Sequence, residues 1–213
     1  MYEPWVLRMS TPSLFSDRRE LLPFDGSALL IPKFLLPGLT EPLFQQIMNE
    51  TVWEKPEMVM FGKKYSQAGL STWYTDTEIP YVYSGITRQP HPMTVALSNI
   101  LRLCEDSTSA SFNSVLVNLY RDGHDSVSWH SDNEEINGSE PVIASVSLGA
   151  TRRFDLRHKE TGETVRVDLE DGSLLVMSGL SQHCWVHQIA KTKSKVGPRI
   201  NLTFRQVISN AKP

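Results

Sequence analysis

The sequence is short of cysteine and contains no long apolar run. Cys104 and Cys184 are the only cysteines among 213 residues. Two cysteines are too few for a disulfide framework or a structural zinc site, and they fit a reducing compartment. Arg8 and Pro12 interrupt the apolar residues of the stretch 7–14, so no signal peptide is recognisable near the start of the sequence. No stretch is long enough to span a bilayer, and we expect an intracellular protein with no membrane partner.

The sequence also lacks an excess of basic residues. Its 21 lysines and arginines are outnumbered by 24 aspartates and glutamates, which gives a formal net charge of −3 at pH 7. A nucleic-acid partner would therefore have to be held by local basic patches. With no evident nuclear-import run, we expect a bacterial cytoplasmic protein, or a nuclear one if the source is eukaryotic. Hydrophobic residues make up 40% of the chain, enough for the core of one domain, and we expect a monomer.

The first half of the sequence favours a mixed extension ahead of the main fold. Residues 1–24 are mixed in character and are expected to form a flexible N-terminal arm. The apolar run 28–34 predicts an edge strand, and Thr40 is placed to cap an amphipathic helix. A second amphipathic helix is predicted to begin near Pro92. Residues 25–111 are therefore interpreted as an N-terminal α/β extension.

From Phe112 onward, the hydrophobic period changes from that of a helix to that of a strand. Turn dipeptides such as Asp122-Gly123 separate the resulting short segments. The predicted strands are Phe112–Tyr120, Val142–Leu148, Phe154–Arg157, Thr164–Leu169, Ser173–Met177, Cys184–Ile189 and Arg199–Val207. Helices followed by a run of short strands predict a mainly β protein with supporting helices, a double-stranded β-helix or jelly roll over 112–208.

Three residues in this half form a candidate metal site. His130 and Asp132 are separated by one residue, and His187 follows much later. Two imidazoles and one carboxylate suit a non-haem Fe(II) that must keep coordination positions open. The competing interpretation is a polar loop after a strand, because His-x-Asp pairs also occur by chance.

The last predicted strand carries polar side chains on one face only. Alternation places Arg199, Asn201, Thr203 and Arg205 on one side, and the apolar residues between them on the other. Two arginines on one face can clamp a dicarboxylate, since guanidinium groups bind carboxylates in a two-pronged geometry. An ordinary strand with its polar side in water is the alternative. By the same parity, two residues of the first predicted barrel strand could add neutral hydrogen bonds, namely Asn118 and Tyr120.

Taken together, these segments resemble the AlkB family of Fe(II)/2-oxoglutarate dioxygenases, and most closely its eukaryotic-type branch that repairs alkylated DNA. The resemblance extends from roughly residue 61 to residue 207. The segments that carry it are Asn118-Leu119-Tyr120-Arg121-Asp122-Gly123, His130-x-Asp132-x-Glu134, Pro141 to Ala150, His187, and Pro198-Arg199-Ile200-Asn201-Leu202-Thr203-Phe204-Arg205.

The resemblance implies a role for each matching residue and no catalytic side chain beyond the metal centre. His130, Asp132 and His187 would bind Fe(II), and the family pattern favours His187 over the rival ligand His183. The 2-oxoglutarate co-substrate, used together with O2, would be held by Asn118, Tyr120, Arg199, Asn201, Thr203 and Arg205. Within that set, Arg205 would face the carboxylate near the metal and Arg199, with Tyr120, the remote one.

Substrate residues follow from the same resemblance. Tyr81 and Tyr83 would lie beside a flipped base, within a nucleotide-recognition lid formed by 25–111, although two aromatic residues on one strand face also suit a core. Asn133 and Glu134 would lie near the polar edge of the base, and the relatives commonly carry Asp at the position of Asn133. The segment Met60-Phe61-Gly62-Lys63 resembles a finger that wedges a base step open, with a packed hairpin turn as the alternative.

The implied activity is oxidative demethylation of N-alkylated bases of the 1-methyladenine and 3-methylcytosine type in single- or double-stranded DNA, with release of formaldehyde. Two alternatives stay open: an RNA demethylase of the same family, and a non-catalytic metal-binding jelly roll that binds damaged nucleic acid. Phosphate contacts are expected from three basic runs, namely Arg152-Arg153, Arg157-His158-Lys159 and the segment 191–195. The histidines without a matching role are expected at the surface, namely His91, His124 and His158.

Overall fold

A computed structural model describes residues 17–208, except 56, 61–62, 67–68, 78–80, 84–85 and 89, and it describes side chains outside 56–68 and 78–89. The described helices are α1 (Thr40–Glu50), α2 (Val95–Thr108) and α3 (Ser181–Cys184). The first described strands are β1 (Arg19–Glu20), β2 (Ser27–Ile31), β3 (Glu57–Met60), β4 (Lys63–Ser66), β5 (Leu70–Thr75), β6 (Tyr81–Tyr83) and β7 (Ile86–Arg88). They are followed by β8 (Ser114–Tyr120), β9 (Val127–His130), β10 (Ile143–Gly149), β11 (Arg152–His158), β12 (Thr164–Leu169), β13 (Leu174–Ser178), β14 (Trp185–Ile189) and β15 (Arg199–Arg205).

Two antiparallel sheets form the body of the fold. The major sheet has seven strands in the order β1-β2-β13-β10-β15-β8-β5, and the minor sheet has four in the order β12-β11-β14-β9. Two further strand pairs, β3–β4 and β6–β7, form separate two-stranded sheets. The strand order crosses over between sequence neighbours, as expected of a jelly roll. The predicted mainly β fold is therefore confirmed.

The major sheet buries both of its faces. One face packs against α1 and α2, where Leu202 and Phe204 of β15 join a core that includes Ile47 and Ile100. The other face is turned to the minor sheet, and Met177 belongs to a second core on that side. Every residue of β15 is buried. The expectation that its polar side lies in water, which was the alternative interpretation, is therefore wrong.

The segment before residue 112 contributes directly to the major sheet. Strand β5 pairs with β8 along its whole length, from Leu70 opposite Leu119 to Thr75 opposite Ser114. Strand β2 pairs with β13 near the opposite edge. The predicted extension and the predicted core thus share one sheet, and strands β5 and β9 were both missed from sequence.

Part of the expected N-terminal arm is attached to this sheet. Strand β1 pairs with β2, and Leu22 is buried in the core between the sheets. Residues 1–16 lie outside the described part. The expectation of a loose arm is therefore wrong for 17–24, because an apolar side chain and a strand pair anchor that segment.

The N-terminal ends of the two longer helices are capped differently. Helix α1 begins at Thr40, but its N-cap is Leu39 and no side chain caps it, so the predicted capping role of Thr40 is wrong. Helix α2 is capped by Thr94, whose hydroxyl accepts a hydrogen bond from the backbone N–H of Leu97. No helix in the described part of the chain is long and apolar enough to cross a membrane.

Candidate metal and dicarboxylate site

The minor sheet brings the predicted metal ligands together. His130 ends β9 and His187 lies directly opposite on β14, while Asp132 follows two residues after His130. One ligand atom of each residue lies within 4.8 Å of the others, and His130 Nε2 lies 3.7 Å from Asp132 Oδ1. Asp132 and His187 are buried, and His130 is partly exposed. Two imidazoles and a carboxylate converge here, which is the donor set that Fe(II) uses when positions stay open.

Neighbouring groups orient the two imidazoles. His130 Nδ1 lies 2.8 Å from the carbonyl oxygen of Ser128; since a carbonyl only accepts, Nδ1 carries the proton and Nε2 is left for a metal. The ring of His187 packs between His130 and Phe154, with ring centroids 4.3 and 5.2 Å away. Burial, assisted by His130, lowers the pKa of His187 to about 3. The His187 imidazole is therefore neutral at physiological pH.

Two hydrogen bonds hold Asp132, one at its carboxylate and one at its backbone N–H. Arg205 Nη2 donates a 2.7 Å hydrogen bond to Asp132 Oδ2, and the backbone N–H of Asp132 donates to Gln182 Oε1 at 2.9 Å. Burial alone would raise the pKa of Asp132, but Arg205, followed by the two histidines, holds it well below its usual range. Asp132 is therefore ionised, and one of its oxygens is oriented away from the metal position.

The rival ligand His183 lies apart from this cluster. It belongs to α3, is exposed, and its Nε2 contacts the carbonyl oxygen of Ser139. Among the described residues, the metal-capable group at this position comprises only His130, Asp132 and His187. The structure thus favours His187 as the third ligand.

Arg199 lines the same cavity. It is 1% exposed, and Nη2 donates to Ser147 Oγ at 2.9 Å. Within the described chain, its Nε and Nη1 have no hydrogen-bond partner. Burial lowers the pKa of Arg199 to about 10, so the guanidinium is still charged at neutral pH. A buried cation with open donors fits an anionic ligand, since unpaired buried charges are costly.

The remaining predicted dicarboxylate residues line this cavity as well. Asn201 Nδ2 donates to Ser145 Oγ at 2.8 Å, and Thr203 Oγ1 donates to Asn201 Oδ1 at 3.2 Å. The Tyr120 ring lies 5.3 Å from the Arg199 guanidinium carbon, and burial raises the pKa of its hydroxyl. One cavity is lined by the triad and by all six predicted residues, Asn118, Tyr120, Arg199, Asn201, Thr203 and Arg205.

The structure also adds residues that the sequence did not single out. Ser145 and Ser147 alternate along β10 on the face that meets Asn201 and Arg199. Their period-two spacing was a usable signal. Gln182 had no such signal, because its contact with Asp132 spans 50 positions of the sequence.

Three of the seven predicted substrate residues lie on the two small strand pairs, β3–β4 and β6–β7. Phe61 and Gly62 lie outside the described residues. Lys63 begins β4, while Tyr81 and Tyr83 pair with Arg88 and Ile86 across β6 and β7.

The other two predicted substrate residues lie next to the triad. Asn133 is exposed. Glu134 is partly buried and accepts a 2.9 Å hydrogen bond from Asn137 Nδ2. Burial raises the pKa of Glu134, with Asp132 as the second cause. Both residues follow Asp132 directly in the sequence, and their contact with the polar edge of a base stays a prediction.

Two of the expected surface residues are internal. Arg152 is 3% exposed and donates to the backbone carbonyls of Asp122, Asp125 and Ala190. His158 is also 3% exposed. The predictions of a phosphate contact from Arg152 and of a surface position for His158 are therefore wrong, because both side chains are buried in the fold.

The other members of the basic runs remain accessible. Arg153 is exposed and pairs with Asp168 at 3.4 Å. Arg157 lies over the Trp129 ring with its guanidinium carbon 4.2 Å from the centroid. The lysines of the segment 191–195 are exposed.

Comparison with known proteins places this site in a family. The family model of the 2OG-Fe(II) oxygenase superfamily matches residues 27–205. The chain is 40% identical over 191 residues to alpha-ketoglutarate-dependent dioxygenase alkB homolog 3 from Bos taurus, covering 84% of this chain and 65% of that protein. It is 34% identical over 183 residues to DNA oxidative demethylase ALKBH2 from Homo sapiens, covering 81% of this chain and 70% of that protein.

A solved structure shares the fold at low sequence identity. The structure titled "The structure of OsALKBH1" superposes with a TM-score of 0.63 at 18% identity, covering 84% of this chain and 97% of that chain. The present chain spans about two thirds of the length of the curated relatives it matches. On the family model and these identities, the chain belongs to the 2OG-Fe(II) oxygenase superfamily and, within it, to the AlkB family.

Proposed function

We propose that this chain is an Fe(II)- and 2-oxoglutarate-dependent dioxygenase that demethylates N-alkylated bases, of the 1-methyladenine and 3-methylcytosine type, in DNA. The observation that carries the proposal is the shared cavity. It joins a two-histidine, one-carboxylate cluster to a buried Arg199 with open hydrogen-bond donors. A passive metal site has no use for such a cation, whereas a dicarboxylate co-substrate requires one.

In this proposal His130, Asp132 and His187 hold the iron. When bound, Fe(II) supplies the activation of O2, by which 2-oxoglutarate is oxidised to succinate and carbon dioxide and an N-methyl group is hydroxylated and lost as formaldehyde. Arg205 keeps Asp132 ionised through the 2.7 Å bond to Oδ2, which leaves Oδ1 for the metal. The stacked rings of Phe154 and His187 keep water away from the buried side of the metal position.

The co-substrate is held by the polar face of β15 and its neighbour β8. Arg199 lines the cavity and binds the remote carboxylate through Nε and Nη1, which are buried and have no hydrogen-bond partner among the described residues. Arg205 is placed near the carboxylate closer to the metal, beside Asp132. Asn118 and Tyr120 lie opposite Asn201 and Arg199 in the β8–β15 pairing and complete the polar wall.

In this proposal the target base is contacted by residues of the two small strand pairs and by the segment that follows Asp132. Tyr81 and Tyr83 stack beside the flipped base, Asn133 and Glu134 meet its polar edge, and Phe61-Gly62-Lys63 wedges the duplex. A flipped base must leave its stack, which costs less where alkylation already prevents pairing. The human relative is a DNA oxidative demethylase, which supports DNA as the substrate. We place the protein as a monomer in the nucleus or cytoplasm.

Turnover on matched substrates tests the proposal. Oligonucleotides with one 1-methyladenine are offered as single-stranded DNA, duplex DNA and RNA, with succinate and formaldehyde both quantified. We expect equal amounts of the two products on at least one DNA form. Faster turnover on RNA than on either DNA form would replace DNA by RNA as the substrate class. Absence of coupled product on all three substrates would refute the demethylase function.

A further inference from the structure

A second cluster of metal-ligating side chains lies away from the iron site. One ligand atom each of Asp25, His158 and Cys184 lies within 4.8 Å of the others. The three residues come from separate parts of the fold: the turn before β2, the end of β11 and the end of α3. None of them lines the cavity described above. The low cysteine count argued against a zinc site, but the fold supplies an imidazole and a carboxylate beside the thiol.

The imidazole of His158 is buried and held in a fixed orientation. Its ring makes T-shaped contacts with both Phe24 and Trp185, with centroids 5.1 and 5.0 Å away. Its Nε2 makes no geometrically acceptable hydrogen bond to any described residue, although Oδ2 of Asp25 lies at 3.2 Å. A nine-tenths buried nitrogen that faces a carboxylate and a thiol without a proper hydrogen bond is a feature that a ligand would satisfy.

The carboxylate is brought to this position by a tight turn. Asp25 has a φ of 51° and Gly26 a φ of 126°. A Cβ at Gly26 would lie 2.4 Å from the backbone nitrogen of Ser181. The turn therefore packs directly on the start of α3, the helix that ends with Cys184. This close approach fixes the distance between the carboxylate and the thiol.

We propose that Asp25, His158 and Cys184 form a binding site for a borderline-soft divalent cation of the zinc type, separate from the iron site. Thiolate, imidazole and carboxylate are the ligands that zinc accepts, and three protein ligands leave the fourth position to water. A tetrahedral ion with bonds of about 2.0–2.3 Å spaces its ligands roughly 3.3–3.8 Å apart. The Asp25 to His158 separation of 3.2 Å already approaches this spacing, and Asp25 is half exposed to supply an entry path.

Binding requires two proton changes that the site can accommodate. Thr161 donates its backbone N–H to His158 Nδ1 at 3.1 Å, which places the ring proton of the free protein on Nε2. A metal at Nε2 moves the ring proton to Nδ1; the Thr161 backbone N–H then gives up its hydrogen bond to Nδ1, and Thr161 Oγ1, 3.2 Å away, accepts the new one. The Cys184 thiol loses its proton to the solvent as the metal–sulfur bond forms. The bound ion would join the N-terminal turn to α3 and to the minor sheet.

Titration of the metal-free full chain with Co(II) tests this site independently of the iron site. A Co(II)–thiolate bond gives a strong near-ultraviolet charge-transfer band, and the triad of His130, Asp132 and His187 contains no thiolate. We expect the band in the wild type, its complete loss in Cys184→Ser, and its retention in Cys104→Ala, which changes the other cysteine. Asp25→Asn should keep the band and shift its midpoint to higher Co(II) concentration.

Serine replaces cysteine with little change in volume, and circular dichroism reports whether each variant is folded. Each outcome therefore either supports or overturns the proposal. Absence of a thiolate band in folded wild-type protein overturns the site. So does a band that persists in Cys184→Ser, or a midpoint that Asp25→Asn leaves unchanged. Zn(II) should also raise the unfolding midpoint of the wild type more than that of Cys184→Ser, since a ligand that binds only the folded state stabilises it.

Discussion

At the scale of single residues, the site contains several buried charged side chains with different partners. Asp132 is paired with Arg205 at 2.7 Å, so the carboxylate is ionised before any metal arrives. Arg199 is 1% exposed and is satisfied in part by Ser147. The difference between the two arginines separates the roles that we propose for them: Arg205 orients the metal ligand Asp132, and Arg199 binds the anionic co-substrate.

Substitution of Arg199 tests this division. We expect Arg199→Gln to raise KM for 2-oxoglutarate at least about 30-fold, because losing a buried charge-paired hydrogen bond costs about 2 kcal/mol or more. Affinity for Mn(II) in the absence of 2-oxoglutarate should be unchanged. Arg153→Gln, on an exposed arginine, is the matched control. An unchanged KM in Arg199→Gln would remove Arg199 from the co-substrate site.

The buried His187 predicts an acid sensitivity of the metal-free protein. Its pKa in the folded state is about 3, against an ordinary value of 6.5. Below pH 6.5 the unfolded chain therefore binds a proton that the folded chain does not bind. The contribution of His187 to the free energy of unfolding is present above that pH and is lost as the pH falls. His130, Arg205 and Lys159 all oppose protonation of the ring. Asp132, whose folded pKa is also lowered, adds to the loss only at more acidic pH.

Unfolding by urea in the presence of a chelator measures this effect. Between pH 7 and pH 5 we expect the free energy of unfolding to fall by about 2 kcal/mol through His187 alone. One proton bound only by the unfolded chain changes this free energy by about 1.4 kcal/mol per pH unit. His187→Asn should lower the pH dependence by that amount. An identical dependence in the two proteins would mean that the ring is not buried as described.

At the scale of elements, β15 and β10 build the co-substrate wall and α1 supports it from behind. Gly149 ends β10 directly opposite Arg199. It has a φ of 85°, and a Cβ there would lie 2.6 Å from the carbonyl oxygen of Pro198 and 2.9 Å from the ring of Phe44. Any side chain at this position must push β15 or α1 away.

Two glycine substitutions separate this crowding from the strain of a positive φ. Gly162 has a φ of 73° with nothing within 4 Å of a Cβ. We expect Gly162→Ala to cost about 1 kcal/mol from backbone strain alone. Gly149→Ala should cost at least about 1–3 kcal/mol more, as overpacking does, and should also raise KM for 2-oxoglutarate. Equal losses of unfolding free energy in the two variants would show that α1 and β15 move apart at no cost in free energy.

The elements also show which features a sequence can predict. Strands with one apolar face, such as β12 and β15, were located because their alternation is regular. Strand β9 was missed because it has four residues, none fully buried, and it pairs with β14 through a register shift. The arginine face of β15 was correctly separated from its apolar face, yet its burial depended on the second sheet. Periodicity reports two faces of a strand and does not report what covers the polar one.

Buried polar residues were the least predictable. The sequence pairs Arg152 with Arg153 as one basic run, but only Arg153 is exposed. Arg152 is drawn inward by carbonyl groups from loops about 30 positions away along the sequence. The same holds for His158, which lies between two aromatic rings contributed by different parts of the chain.

At the scale of the whole molecule, the proposed active site exists only because two sheets face each other. The minor sheet supplies the metal ligands on β9 and β14, and the major sheet supplies the arginines on β15. Asp132 and Arg205 connect the two across the cavity.

The excess of acidic residues leaves nucleic-acid binding to local groups, so we expect turnover on DNA to fall as salt rises while KM for 2-oxoglutarate changes little. Initial rates measured from low to moderate salt check this, and salt-independent turnover would argue against phosphate contacts.

The central claim is that His130, Asp132 and His187 hold a metal that couples 2-oxoglutarate oxidation to demethylation. Succinate release with Fe(II), 2-oxoglutarate and a 1-methyladenine oligonucleotide measures it most directly. We predict full coupling in the wild type and in Asp168→Ala, an exposed carboxylate, and background levels in Asp132→Ala. His130→Ala, which leaves the Asp132–Arg205 pair intact, should match Asp132→Ala while staying folded. Coupled succinate release that persists in folded Asp132→Ala or His130→Ala would contradict the account.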